Sequence, residues 1–63
     1  MPVQVTREVA DAVAEALSNA LENGNDFVGW TDDQVADDMM SFDATVENMP
    51  RDQVVAAVHG LRT

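Results

Sequence analysis

Residues 6–24, TREVADAVAEALSNALENG, decide the fold of this chain. Apolar residues recur here at spacings of three and four, which places them on one face of an α-helix. Thr6 is a favoured N-cap residue, and Gly24 fits the left-handed position that ends many helices. We therefore predict an amphipathic helix over residues 6–23, with its apolar face toward the core. That face consists of Val9, Ala12, Val13, Ala16, Leu17, Ala20 and Leu21.

The clearest helix start in the chain follows a turn predicted at residues 23–30. Two glycines and two asparagines supply the backbone freedom that such a turn needs. Thr31 and Gln34 then have the spacing of a capping box, and Trp30 and Val35 have that of a hydrophobic staple. We expect the large apolar side chains of the turn to pack back onto the core. They are Phe27, Val28 and Trp30.

The second helix is predicted to continue from this start to residue 48. Apolar residues follow alternating spacings of four and three, which is the seam of a heptad. We expect this seam to face the core. It consists of Val35, Met39, Phe42, Val46 and Met49. Weak helix formers between residues 41 and 45 make a break near residues 41–44 the alternative to one helix over residues 31–48.

A third helix is predicted over residues 50–60. Pro50 can occupy its first position, and Gly60 is a natural residue to end it. Its apolar face consists of Val54, Ala57, Val58 and Leu61. Three amphipathic helices with short connections predict an all-α, single-domain three-helix bundle over residues 1–63. A core this small is marginal and the chain has no cysteine for a disulfide, so dimerisation is an available stabiliser.

Charge is the strongest indication of function. The formal net charge is −9, there is no lysine, and eleven of the twelve carboxylates lie between Arg7 and Arg51 without a basic residue among them. This balance disfavours direct binding to nucleic acid or to an anionic membrane, and it favours a basic protein surface as partner. A salt-loving host or a GC-rich genome would instead make the charge a property of the organism.

Two acidic clusters and one methionine are the candidate partner-binding residues. On the first helix, the acidic row opposite the apolar face consists of Glu8, Asp11, Glu15 and Glu22. On the second helix the cluster consists of Asp32, Asp33, Asp37 and Asp38, and Met40 adds an apolar contact beside the seam. A solvated face is the alternative interpretation. The first helix carries about one negative charge per 5–7 Å of its length, whereas a DNA strand carries one per 3.4 Å. Because its charge density is about half that of a strand, a mimic of DNA would need two helices or a dimer.

No catalytic, cofactor or metal site is predicted. Neither the register starting at Asn23 nor the one starting at Asp26 fits a calcium-binding EF-hand loop, and the single histidine, His59, has no nucleophile with an evident geometric role. Residues 1–5 lack the features of a targeting segment, and no apolar run is long enough to span a membrane, so a cytoplasmic location is expected.

The leading hypothesis is therefore a non-enzymatic interaction domain that binds, and inhibits or modulates, a basic host protein. Small acidic products of phages and mobile elements often have this profile, which is an association rather than a derivation. One alternative is a DNA mimic that blocks a restriction or defence enzyme. The other is a homo-oligomeric structural protein whose charge serves only solubility.

Overall fold

The predicted all-α architecture is confirmed. The structure, a computed structural model, describes residues 4–63 and contains four helices and no strand in that range. The helices are α1 (Arg7–Glu22), α2 (Asp32–Phe42), α3 (Ala44–Glu47) and α4 (Arg51–Arg62). Helix α4 packs against both α1 and α2, which contact each other less. Of the N-terminal segment considered for targeting, residues 1–3 lie outside the described range.

Both predicted ends of α1 are confirmed. The Thr6 side chain accepts a hydrogen bond of 3.3 Å from the Val9 amide, and Gly24 has a φ of +86° just beyond the helix. The apolar face is only partly right, because Leu21 is 53% exposed. At roughly 100° per residue, Leu21 lies about 140° around the helix from the buried Ala16. The core therefore meets the side of the stripe that carries Val9, Val13 and Ala16.

The turn before α2 places only one of its three large apolar side chains in the core. Phe27 is 1% exposed, as predicted, and its ring meets that of Trp30 edge-on at 5.1 Å. Val28 is 79% exposed, so its predicted packing is wrong. The Trp30 amide bonds to the Phe27 carbonyl and Gly29 has a φ of +84°, which puts Val28 at the outer corner of a β-turn. Trp30 is 39% exposed.

The capping box at the start of α2 is confirmed, but the single helix over residues 31–48 is wrong. Thr31 and Gln34 exchange hydrogen bonds of 2.9 and 3.1 Å, and the helix then ends at Phe42. Asp43 accounts for the break, because its carboxylate accepts a hydrogen bond from the Thr45 amide and caps α3. Val46 then fills the core, whereas Phe42 is 85% exposed, so the core position predicted for Phe42 is also wrong.

Helix α4 is longer than predicted. It continues through Gly60 to Arg62, and Pro50 stands before it as the N-cap rather than as its first residue. Gly60 was expected to adopt a helix-ending backbone, but it is an ordinary helical residue here. These two additional residues place Arg62 at the beginning of α2. The side chains of Val54, Ala57 and Val58 are buried, and that of Leu61 is 47% exposed.

These backbone assignments predict opposite effects for two glycine substitutions. Replacing Gly60 by alanine should raise the free energy of unfolding by about 0.5 kcal/mol, because alanine is the better helix former. Replacing Gly24 should lower it by about 1 kcal/mol, since alanine disfavours a positive φ. No atom lies within 4 Å of an added Cβ at either position, so the backbone alone sets the sign. Urea unfolding followed by circular dichroism measures both, and a loss of stability in Gly60→Ala would contradict the helix end described here.

Candidate interaction surface

Basic side chains at the two ends of α4 hold this helix to α2. Near its C-terminus, Arg62 Nη1 lies 3.0 Å from Asp32 Oδ1, and His59 Nδ1 lies 2.8 Å from Asp32 Oδ2. At its N-terminus, Arg51 bonds to Asp37 and has a longer contact of 3.8 Å with Asp33. The two helices are therefore antiparallel. Three of the four aspartates predicted to bind a partner on α2 are engaged within the molecule.

The Arg51–Asp37 contact changes the ionisation of both partners. The side-chain hydrogen bond from Arg51, helped by its positive charge, holds the pKa of Asp37 below its usual 3.8, and the same bond raises the pKa of Arg51. Both side chains remain largely in water, with 47% and 63% exposed, so the pair adds little to stability. Its consequence for binding is that the charge of Asp37 is already compensated.

The acidic row of α1 is fully exposed. Glu8, Asp11, Glu15 and Glu22 all face solvent. Arg7 contacts Asp11 at 3.7 Å, but both side chains are at least 74% exposed, so water screens this pair. The row therefore presents negative charge that the fold leaves nearly uncompensated.

Asp38 differs from the other aspartates of α2. Its residue is half-buried, yet no side-chain cation of residues 4–63 lies within 4 Å of its carboxylate. The chain has no lysine, and the ion pairs above engage all three of its arginines and His59. The described fold thus has no remaining side chain with which to neutralise Asp38.

Asp38 and Phe42 line two neighbouring grooves of the surface. On one side an open groove of about 470 Å³ follows α2, and we call it the aromatic groove. It is lined by Trp30, Gln34, Asp37, Asp38, Ser41 and Phe42. On the other side a groove of about 290 Å³ lies between the end of α1 and α2, beside Ala20, Phe27 and Met39. Exposed aromatic surface and an uncompensated carboxylate therefore share one face.

The structure places the predicted site residues in three different environments. The α1 row is exposed and unpaired except at Asp11, most of the α2 cluster is paired, and Met40 is half-buried against the core and lines neither groove. Phe42 was missed as a surface residue because the heptad pattern assigned it to the core. The spacing of four from Trp30 through Gln34 and Asp38 to Phe42 is a signal that could have identified the groove.

Across residues 4–63, no helix combines the length and the apolar character that crossing a bilayer requires. In the same range, no three acidic, histidine or cysteine side chains converge on a point that could hold a metal ion. The sequence matches no protein-family model, and neither a curated protein nor a solved structure is significantly similar to it.

Proposed function

We propose that this protein is a non-enzymatic interaction domain that binds a basic protein surface and thereby inhibits or modulates its partner. The observation that carries this proposal is the exposure of Phe42 beside Asp38. A large aromatic side chain in water is unfavourable, and the Asp38 carboxylate has no cation of the described fold within 4 Å. A partner that offers apolar and basic groups together covers the ring and pairs with the carboxylate.

The remaining negative charge supports the same role at longer range. The α1 row and the net charge of −9 attract a basic surface before contact and raise the association rate. Such steering weakens as salt is added. The apolar contacts around Phe42 then supply most of the affinity, as buried aromatic anchors do in other protein interfaces.

The ion pairs favour this function over mimicry of DNA. A mimic needs a regular array of free carboxylates, but Asp32, Asp33 and Asp37 are bound to basic residues of the same chain. What remains on α2 is one uncompensated carboxylate between two aromatic side chains. That combination suits a protein partner better than the binding groove of an enzyme that acts on DNA.

The test is affinity capture from a lysate of the source organism, at low and at physiological salt, with bound proteins quantified by mass spectrometry. We expect wild type to retain one basic protein in a stoichiometric amount. The triple variant Glu8→Gln, Glu15→Gln, Glu22→Gln should associate with it about tenfold more slowly, and Phe42→Ser should lose it. The control Val28→Ser removes another exposed apolar side chain and should retain it.

Two outcomes would count against the proposal. One is capture that does not change with salt or with any of these substitutions. The other is the absence of any bound protein together with a dimer in light scattering, which would favour the homo-oligomeric alternative.

A further inference from the structure

We infer that the aromatic groove binds an arginine side chain of the partner, carried on a helical segment that places an apolar residue against Phe42. This inference deepens the proposed function and rests on it. It names the chemistry that the partner must present, which net charge alone does not specify.

The first support is the arrangement of groups along the groove. Gln34, Asp38 and Phe42 follow one another at a spacing of four on α2, over about 12 Å at 1.5 Å per residue. Trp30 lies at the N-terminal end of this row. An aromatic residue therefore lies at each end of this row, with Asp38 between them. About two turns of a partner helix match this length.

The second support is charge complementarity. Asp38 has no side-chain cation within 4 Å, and every basic side chain of the described fold is engaged elsewhere. A cation of the partner can therefore pair with the Asp38 carboxylate without displacing a basic side chain of this chain. A second copy of the chain is a poor occupant, because it brings its own charge of −9 to the same face.

The third support distinguishes arginine from lysine. A guanidinium is flat, so it stacks on aromatic rings, and its fork of donors matches a carboxylate. The aromatic groove offers both kinds of contact within one space of about 470 Å³. Lysine can supply the charge but neither the stacking plane nor the paired hydrogen bonds.

The chain contains its own reporter for this binding. Trp30 lines the groove and is the only tryptophan, and there is no tyrosine, so intrinsic fluorescence reports on the site. The probe is a synthetic, capped, alanine-rich helical peptide of about 15 residues, with one arginine and one leucine four positions apart. Matched peptides carry lysine or uncharged citrulline in place of the arginine.

We expect the arginine peptide to change Trp30 emission saturably at low salt. The lysine peptide should bind about fivefold more weakly, and the citrulline peptide at least about tenfold more weakly. On the protein, Asp38→Asn and Phe42→Ser should each weaken binding about tenfold. The controls Glu47→Gln, which removes an equal charge from the exposed face of α3, and Val28→Ser should change it less than about twofold.

Three results would overturn the inference. They are equal binding of the citrulline peptide, equal losses in Glu47→Gln and Asp38→Asn, and no response of Trp30 to any peptide. Circular dichroism checks that each variant folds. If Asp38→Asn or Phe42→Ser does not fold, Asp38→Gln or Phe42→Thr takes its place. If lysate capture succeeds while Trp30 ignores the peptides, the groove assignment fails but the proposed function stands. If capture fails as well, both are wrong.

Discussion

Replacing Phe27 by alanine is expected to unfold the protein, although Phe27 lies in a loop. Its side chain is the largest of those that are completely buried, with 1% exposed. Removing a buried phenylalanine side chain costs about 3–5 kcal/mol. A chain of 63 residues has a total free energy of unfolding of about 3–9 kcal/mol, from 0.05–0.15 kcal/mol per residue. One substitution in this loop therefore removes most of the stability.

The matched control is the same substitution at Phe42. Because that side chain is 85% exposed, Phe42→Ala should change the free energy of unfolding by less than about 0.5 kcal/mol. Thermal and urea unfolding followed by far-ultraviolet circular dichroism compares the two variants directly. Equal destabilisation by both would mean that α2 continues past Asp43 and that the heptad seam buries Phe42 after all.

The second large effect is expected at Arg62. Its guanidinium binds Asp32 and also donates to the carbonyls of Phe27 and Trp30, at 3.3 and 2.7 Å, so it ties α4 to the turn before α2. The side chains of Arg62 and Asp32 are 26% and 30% exposed. Breaking a buried ion pair costs about 3–5 kcal/mol. Because water partly reaches this pair, we expect Arg62→Met to lower the free energy of unfolding by about 2 kcal/mol.

Two controls separate this contact from simple loss of charge. Arg7→Met removes the same charge from a side chain that is 92% exposed and should cost less than about 0.5 kcal/mol. Arg62→Lys keeps the charge but lacks the fork that reaches three oxygens, so its stability should lie between those of Arg62→Met and wild type. Urea unfolding measures all three variants. Acrylamide should also quench the fluorescence of Trp30 more strongly in Arg62→Met than in wild type. Equal stability of Arg7→Met and Arg62→Met would disprove the contact of Arg62 with Asp32.

Features that depend on neighbouring residues could be predicted from the sequence. The cap at Thr6, the capping box of Thr31 with Gln34 and the left-handed Gly24 each involve groups three or four positions apart or one backbone angle. The break between α2 and α3 was the stated alternative to one long helix, and a run of weak helix formers indicated it. It competed with a heptad seam of similar strength, and only the Asp43 cap decided between them.

Features that depend on distant residues could not be predicted. Arg62 lies 30 positions from Asp32, and nothing local to either residue indicates that the last two residues of α4 bring them together. Which carboxylates remain free follows from such pairings, so the acidic cluster of α2 looked uniform in the sequence. The aromatic groove has the same origin, because Phe42 is exposed only when the chain turns at Asp43.

Sequence information was enough to establish that the chain forms amphipathic helices, where α1 and α2 begin, and that the net charge is strongly negative. These properties follow from side-chain periodicity, from hydrogen bonds between near neighbours and from a count of charges. Only the tertiary structure shows that Phe42 and Val28 face water, against the apolar pattern, and that Asp38 keeps its charge uncompensated. Burial and ion pairing are set by the segments that meet in space, and a pattern along the chain does not contain that information.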